Sequence, residues 1–308
     1  MFDLRYHVAS LAAVFIALAV GIVIGVAIAS GGGVEDTTKA VLEGDKRRLE
    51  ERLQEAQDRA QRSEERQRAV NQLVERAYPA IMDGRLEGDG LGVLFLGPID
   101  PAVRSAVEKT LTDGGAGAPV RVAGLELPAD PAALEELIAS DPTLAAFGTE
   151  GDIEGLGRGL GREFVDGGQT PVWEAVDELI VEEGVGSSLT PLDGIVVVRS
   201  WGPLTGDAPP EQQEAAAATE QLLQGLLDGL EDGNVPVVGV ERTGADPSSV
   251  SYFRDRGIST VNDVDAVAGQ VALAVLLAGG RPGAYGVGDD VDAVAPPIEP
   301  VPAATVAE

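Results

Sequence analysis

Apolar and polar positions follow one another along this chain in three successive regimes. The first is a single unbroken apolar run: from Leu11 to Ala29 no residue is charged or strongly polar. Nineteen such residues come close to the roughly 20 that cross a hydrocarbon core as a helix. Small residues recur within it at every fourth position, Ala13, Ala17, Gly21, Gly25 and Ala29, and the segment from Gly21 to Gly25 has the GxxxG form that lets two membrane helices approach. Ala27-Ile28-Ala29 before Ser30 also has the form of a signal peptidase site. Against cleavage, the run is longer than the usual h-region of about 7–15 residues, and Arg5 is the one strong cation before it. The expectation is a short N-terminus and a retained transmembrane helix within residues 1–33.

The second regime is charged with a sparse apolar repeat. Between Glu35 and Ala77 there is no proline and one glycine, Gly44. Leu42, Leu49, Ala56, Ser63, Val70 and Ala77 recur every seven residues, and Leu53, Ala60, Gln67 and Val74 follow members of that row by four. This is the a/d spacing of a coiled coil, weakest at Ser63 and Gln67. It predicts a coiled-coil helix over residues 34–78. Glu43 with Arg47, Glu55 with Arg59, Asp58 with Arg62 and Glu64 with Arg68 would pair along its outer face, each pair worth tenths of a kcal/mol. A single solvated helix folded back on the rest of the chain is the other reading of this pattern. The membrane face at Gly21 and Gly25 and the seam at Leu49 and Leu53 ask for the same partner, so a parallel homodimer or a higher homo-oligomer is expected, with these four as contact residues.

From Leu91 onward short apolar runs alternate with amphipathic stretches. LGVLFLG (91–97), VRVAGLEL (120–127), GIVVVR (194–199), VPVVGV (235–240) and ISTV (258–261) read as strands, and their lack of polar alternation predicts burial on both faces. The fold class expected for residues 88–286 is therefore α/β with a mostly parallel sheet. Asp-Pro pairs at 100–101, 130–131, 141–142 and 246–247 place a capping oxygen before a proline at the first helical position, and three of the four are expected to open helices. A long helix is predicted from about Pro210 to Leu230, and VDAVAGQVALAVLLAG (264–279) as a buried final helix too short and too interrupted to be a second span. GLGRGLGR (155–162) follows no strand and lacks a Walker loop's Lys-Ser/Thr, which predicts a flexible or helical linker. Residues 287–308, rich in Pro, Ala and acid, are expected to be a disordered tail.

Charge and composition then narrow the chemistry. The net charge of −29 comes almost wholly from residues 78–308, which hold 39 Asp/Glu against 11 Lys/Arg. Such a surface repels phosphate backbones, so nucleic acid is excluded as a partner. The absence of Cys removes disulfides, thiolate metal sites and cysteine nucleophiles, and the single His7 precedes the apolar run, which removes a Ser-His-Asp triad. No catalytic, cofactor-binding or metal-ligating set emerges, and the chain is expected not to be an enzyme.

DLRYHVASLAAVFIALAVGIVIG (3–25), the charged helix after it, VVGVE (237–241) and STVNDVDAVAGQVALAVLLAGGRPGAYGVGDD (259–290) resemble the MctB family of actinobacterial envelope proteins, the mycobacterial copper transport protein B group. The resemblance implies a part in copper homeostasis, with pore formation and efflux across the outer membrane, and copper ions as partners only on that ground. The residues speak differently about the metal. Cu(I) prefers thiolate and thioether and Cu(II) prefers imidazole, whereas the chain offers Met1, Met82 and His7. A membrane β-barrel has no support from the pattern either. Two function classes remain open: a component of copper export, or a non-catalytic membrane-anchored scaffold whose α/β head binds a protein or wall partner. The expected location is the cell membrane, single-pass, with the head on the extracytoplasmic side; the outer membrane is the alternative.

Overall fold

The computed structural model describes residues 4–30, 33–147, 152–183, 190–202, 208–288 and 290–300, with side chains from 11 to 28, at 42 and from 44 onward. The chain forms two compact units, Met1–Asn71 and Gln72–Glu308.

The first unit is helical. α1 spans Leu4–Ser30. Its window Leu11–Ile28 has a mean hydropathy of 3.0 with none of it buried, and among the described residues it is the one helix long and apolar enough to cross a membrane. α2 runs for 50 residues, Gly33–Met82, and so extends into the second unit. Its expected pairs form in part. Arg68 lies 3.2 Å from Glu64 and Arg59 3.9 Å from Glu55. Arg62 instead donates from Nε to the backbone carbonyl of Asp58 at 3.1 Å. The Glu43 side chain of the fourth pair lies outside the described residues.

In the second unit the last turns of α2 belong to the core of the head, beyond the boundary at 78 that the heptad pattern suggested. The helix continues through Pro79, and Met82 and Leu86 are fully buried. Tyr78 donates its hydroxyl to Asp113 at 2.8 Å. The strands follow: β1 (Leu91–Leu96), β2 (Arg121–Leu125), β3 (Val181–Glu183), β4 (Gly194–Arg199), β5 (Val237–Val240), β6 (Ser259–Val261) and β7 (Ala284–Tyr285). They form one sheet ordered β3-β2-β1-β4-β5-β6-β7, parallel throughout except for the antiparallel edge strand β3. Val93 sits between Val122 and Val196 in register, and the five apolar runs read from the sequence are its five central strands.

Alternate residues of each strand enter different layers because side chains alternate across a strand. Leu94, Leu96, Ile195 and Val197 pack beneath α4 (Pro131–Ser140), α5 (Ile153–Asp166), α6 (Pro171–Ile180) and α7 (Pro210–Glu231). Val93, Phe95, Val196 and Val198 pack beneath α3 (Pro101–Asp113), α9 (Val267–Leu277) and the end of α2. The short α8 covers Val250–Arg254. α9 is buried along most of its length, as its all-round apolarity predicts.

Asp100 and Asp130 cap α3 and α4 through Oδ1, accepting from Ala102 N at 2.8 Å and Ala132 N at 3.0 Å. Asp141 precedes a 3-10 helix, Pro142–Phe147, whereas Asp246-Pro247 opens no helix and is a cis peptide. GLGRGLGR is no linker. It lies inside α5, where ideal Cβ atoms at Gly157 and Gly161 would fall 2.1 Å from Leu222 O and 2.2 Å from Leu226 O of α7. Gly225 and Gly229 answer from the other side, so the two backbones touch where neither helix carries a side chain. Part of the expected tail also packs on the head. Asp292 Oδ2 accepts from Ala284 N at 2.9 Å, Asp292 pairs with Arg254 at 3.3 Å and Pro296 is buried, while residues 301–308 lie outside the described residues.

Candidate functional site

The four contact residues nominated from the sequence are open in the single chain. An ideal Cβ at Gly21 or Gly25 meets nothing within 4 Å. Leu49 and Leu53 are 66% and 60% exposed, and Leu42, Val70 and Leu73 are exposed with them along α2. Spacing by four residues places Gly21 and Gly25 on one face of α1, and Leu49 and Leu53 on one face of α2. Water on an apolar row of this kind costs free energy in proportion to its area, which a second helix would relieve.

The head carries a different feature at the carboxyl edge of its sheet. β1 and β4 are neighbours, yet β1 leads to α3 in one layer and β4 leads towards α7 in the other. Open α/β sheets place their ligand crevices outside the strand ends at such a reversal. Here Ser200 N and Trp201 N both donate to Leu96 O, at 3.0 and 3.1 Å, drawing the two strand ends together. Gly97 turns the chain beneath Trp201 at φ +106°, where an added Cβ would stand 2.9 Å from Trp201 N. A cavity of about 150 Å³ opens at this point, lined by Asp100, Arg199, Trp201, Glu241, Arg242 and Pro247 among others.

Its acids are largely engaged. Glu241 accepts from Ser249 N at 2.6 Å, Ser248 Oγ at 2.7 Å and Ser249 Oγ at 3.0 Å. Asp100 caps α3 through one oxygen and lies 3.9 Å from Arg242 Nε through the other. Arg199 is the deep cation. Its side chain is 6% exposed, its guanidinium carbon lies 3.8 Å from the centre of the Tyr252 ring and 5.5 Å from that of Trp201, and Glu220 stands 3.9 Å away. Burial pulls the Arg199 guanidinium below its ordinary pKa, with Glu220 acting the other way. Arg256 also stacks on Tyr252 at 3.8 Å and holds Glu220 at 3.1 Å. The Tyr252 hydroxyl is pushed up to about 12, first by burial and then by the Glu220 charge. A second hollow of about 550 Å³ adjoins the first and shares Arg199, Trp201 and Pro247 with it.

This cluster was not singled out from the sequence, although one signal was present: GIVVVR ends an apolar strand on a cation, and Trp201 follows two residues later. The copper donors fare differently. Met82 is 1% exposed among apolar neighbours of the core. His7 lies in α1 with its side chain outside the described residues, and Met1 lies outside them altogether. Among the described residues no three His, Cys, Asp or Glu side chains converge as a metal-binding group.

A family model described as "Copper transport outer membrane protein, MctB" matches residues 1–296. The chain belongs to the MctB family. The match takes in α1, α2, the whole sheet and the C-terminal segment up to Pro296. Among curated proteins none matches the chain. Membership in the MctB family places it with envelope proteins concerned with copper transport, and the apolar α1 accords with attachment to a membrane.

Proposed function

We propose that this MctB family member serves copper homeostasis as a non-catalytic, membrane-anchored scaffold. It assembles as a parallel homodimer through α1 and α2 and holds its α/β head outside the cytoplasm. The observation that carries this reading is the exposed heptad row of α2, with Leu49 and Leu53 more than half exposed on a 50-residue helix. A helix of mostly polar surface with one apolar seam gains stability by pairing along that seam. Copper, as the cargo, meets few suitable donors here, since the one Met in the head is sealed in its core. The ion would be held by a partner of the assembly, and the chain would supply position.

Sidedness rests on three supports: a long domain can translocate largely regardless of flanking charge, a chain without Cys suits an oxidising exterior, and the family is described by the outer membrane. Lys39, Lys46, Arg47 and Arg48 after the apolar run pull the other way. The test is cellular copper under copper load in a deletion strain. The full chain and a His7→Ala variant should restore it, and Leu49→Asp with Leu53→Asp should not. Unchanged copper in the deletion strain, or full rescue by the double Asp variant, would sink the proposal. Ser140→Cys supplies the single thiol for sidedness, and an impermeant maleimide should label it in intact cells whose outer layer is permeabilised.

A further inference from the structure

Three of the head's eleven basic residues, Arg199, Arg242 and Arg256, gather at one corner of the domain, beside Asp100, Glu220, Glu241, Asp246 and Asp255. Their carboxylate partners do not match them in number or distance. Glu220 is the one acid that Arg199 and Arg256 share, and Arg256 holds it at 3.1 Å while Arg199 stays at 3.9 Å. Arg199 Nε is fully buried and makes no hydrogen bond. A guanidinium taken out of water needs its charge and its donors answered. The Tyr252 and Trp201 rings answer part of the charge and none of the donors.

We propose that the crevice at the ends of β1, β4 and β5 is a binding site for a small organic monocarboxylate with a flat apolar body. The carboxylate pairs with Arg199, and the body lies against Trp201 in the larger hollow. Three features set the class. The edge of a guanidinium matches two carboxylate oxygens in a planar, bidentate pair. Asp100, Glu241 and Asp246 in the lining repel every added negative charge, so the single charge that Arg199 answers is tolerated better than the two of phosphate and other dianions. The larger hollow offers Trp201, Tyr252, Pro247 and Ala217 as a surface for an apolar face. Binding displaces no internal ion pair of normal length, because Arg199 makes none. This site goes beyond the scaffold role and does not depend on dimerisation.

The probe is phenylacetate, added to the full chain in detergent and followed by saturation-transfer NMR on the ligand and by Trp201 fluorescence. Saturable binding is expected, at least about tenfold tighter than that of the neutral isostere phenylacetamide and of inorganic phosphate, as loss of a charge-assisted pair implies. Trp201→Ala should weaken it by a similar factor, and Arg199→Gln should abolish it while an unchanged urea midpoint still reports a folded head. If Arg199→Gln unfolds the head, the comparison of phenylacetate with phenylacetamide on the unmodified chain decides. Equal binding of the two, tighter binding of phosphate, binding insensitive to Trp201→Ala, or no saturation up to roughly 20 mM would each overturn the proposal.

Discussion

Gly225 lies where α7 touches α5, and replacing it with alanine sets helix propensity against packing. Propensity alone favours Gly225→Ala by about 1 kcal/mol. The packing opposes it: the new Cβ would stand 1.8 Å from Glu154 O and 3.0 Å from Arg158 N, all of it backbone that no rotamer change can move aside. Ordinary contact for carbon requires about 3.5 Å, so the helices must part by roughly 1.5 Å. That opening stretches Arg158–Asp228, now 2.7 Å, and Arg162–Asp232, now 2.6 Å, and loosens Leu222, Leu226 and Leu230, each fully buried. Overpacking of this kind costs about 1–3 kcal/mol, and the lost leucine contacts add to it. The ion pairs are partly exposed and add little. The net expectation is a loss of about 2 kcal/mol, or roughly 4–8 °C in the melting temperature of a domain of this size. Trp173 reports the site, being 3% exposed and donating from Nε1 to Leu160 O of α5 at 2.8 Å. Its fluorescence through urea unfolding gives the midpoint. Gly44→Ala is the control: its Cβ meets nothing within 4 Å, so α2 should gain helicity. A Gly225→Ala head that unfolds at the same or higher urea would refute the reasoning.

Other consequences are as direct. Asp263 is 2% exposed, and burial, then the charge of Asp265, raises its pKa to about 6 from 3.8. The folded state thus holds the proton more tightly than the unfolded chain, and the contribution to stability is present near pH 4 and lost as pH rises through 6. Asp263→Asn should remove this slope, gaining up to about 2 kcal/mol on the unmodified head between pH 4 and pH 7, and parallel stability curves would contradict it. Arg121, 1% exposed, donates to the carbonyls of Phe164 and Thr190. Arg121→Met takes that donor from both carbonyls and leaves the one of buried Phe164 inside the core without it, and the urea midpoint should fall by the equivalent of about 2–4 kcal/mol. Gly21→Ile with Gly25→Ile should reduce crosslinked dimer in membranes severalfold while leaving the head's unfolding unchanged; undiminished crosslinking would remove α1 from the interface.

The central sheet was legible because a strand buried on both faces is apolar at most positions, and five such runs stand out between Leu91 and Val261, with buried Arg121 in β2 and Thr260 in β6 as exceptions. β3 and β7 escaped notice because three and two residues carry no periodicity. Asp-Pro read correctly at Asp100 and Asp130, where the carboxylate reaches the next helix's free N–H groups, and the same dipeptide at Asp246 serves a loop. GLGRGLGR is helical, one of the two forms expected of it, but it is no linker. Its glycines suggested freedom, but Gly157 and Gly161 lie four apart, matching Gly225 and Gly229, and that spacing marks a closely approached helix face. The switch-point crevice is a property of strand order, which no single run displays. Arg199 gains its setting from Tyr252 and Glu220, far away in sequence, so only the fold brings them together.

The buried charges bear on how metal measurements with this protein will read. Arg121 and Arg199 are almost wholly inside, but so are Glu241 and Asp263, so the buried charges balance and the acidic excess of residues 78–308 faces the solvent. In dilute buffer such a polyanion gathers divalent ions as a diffuse Donnan cloud, with no stoichiometry and no preferred ligand geometry. At about 0.15 M salt the cloud shrinks to a Debye length of roughly 8 Å and monovalent ions displace most of it. Copper retained on dialysis at low salt and released at physiological salt would therefore measure the electrolyte around the head, and retention that survives the salt would point to a coordinating partner.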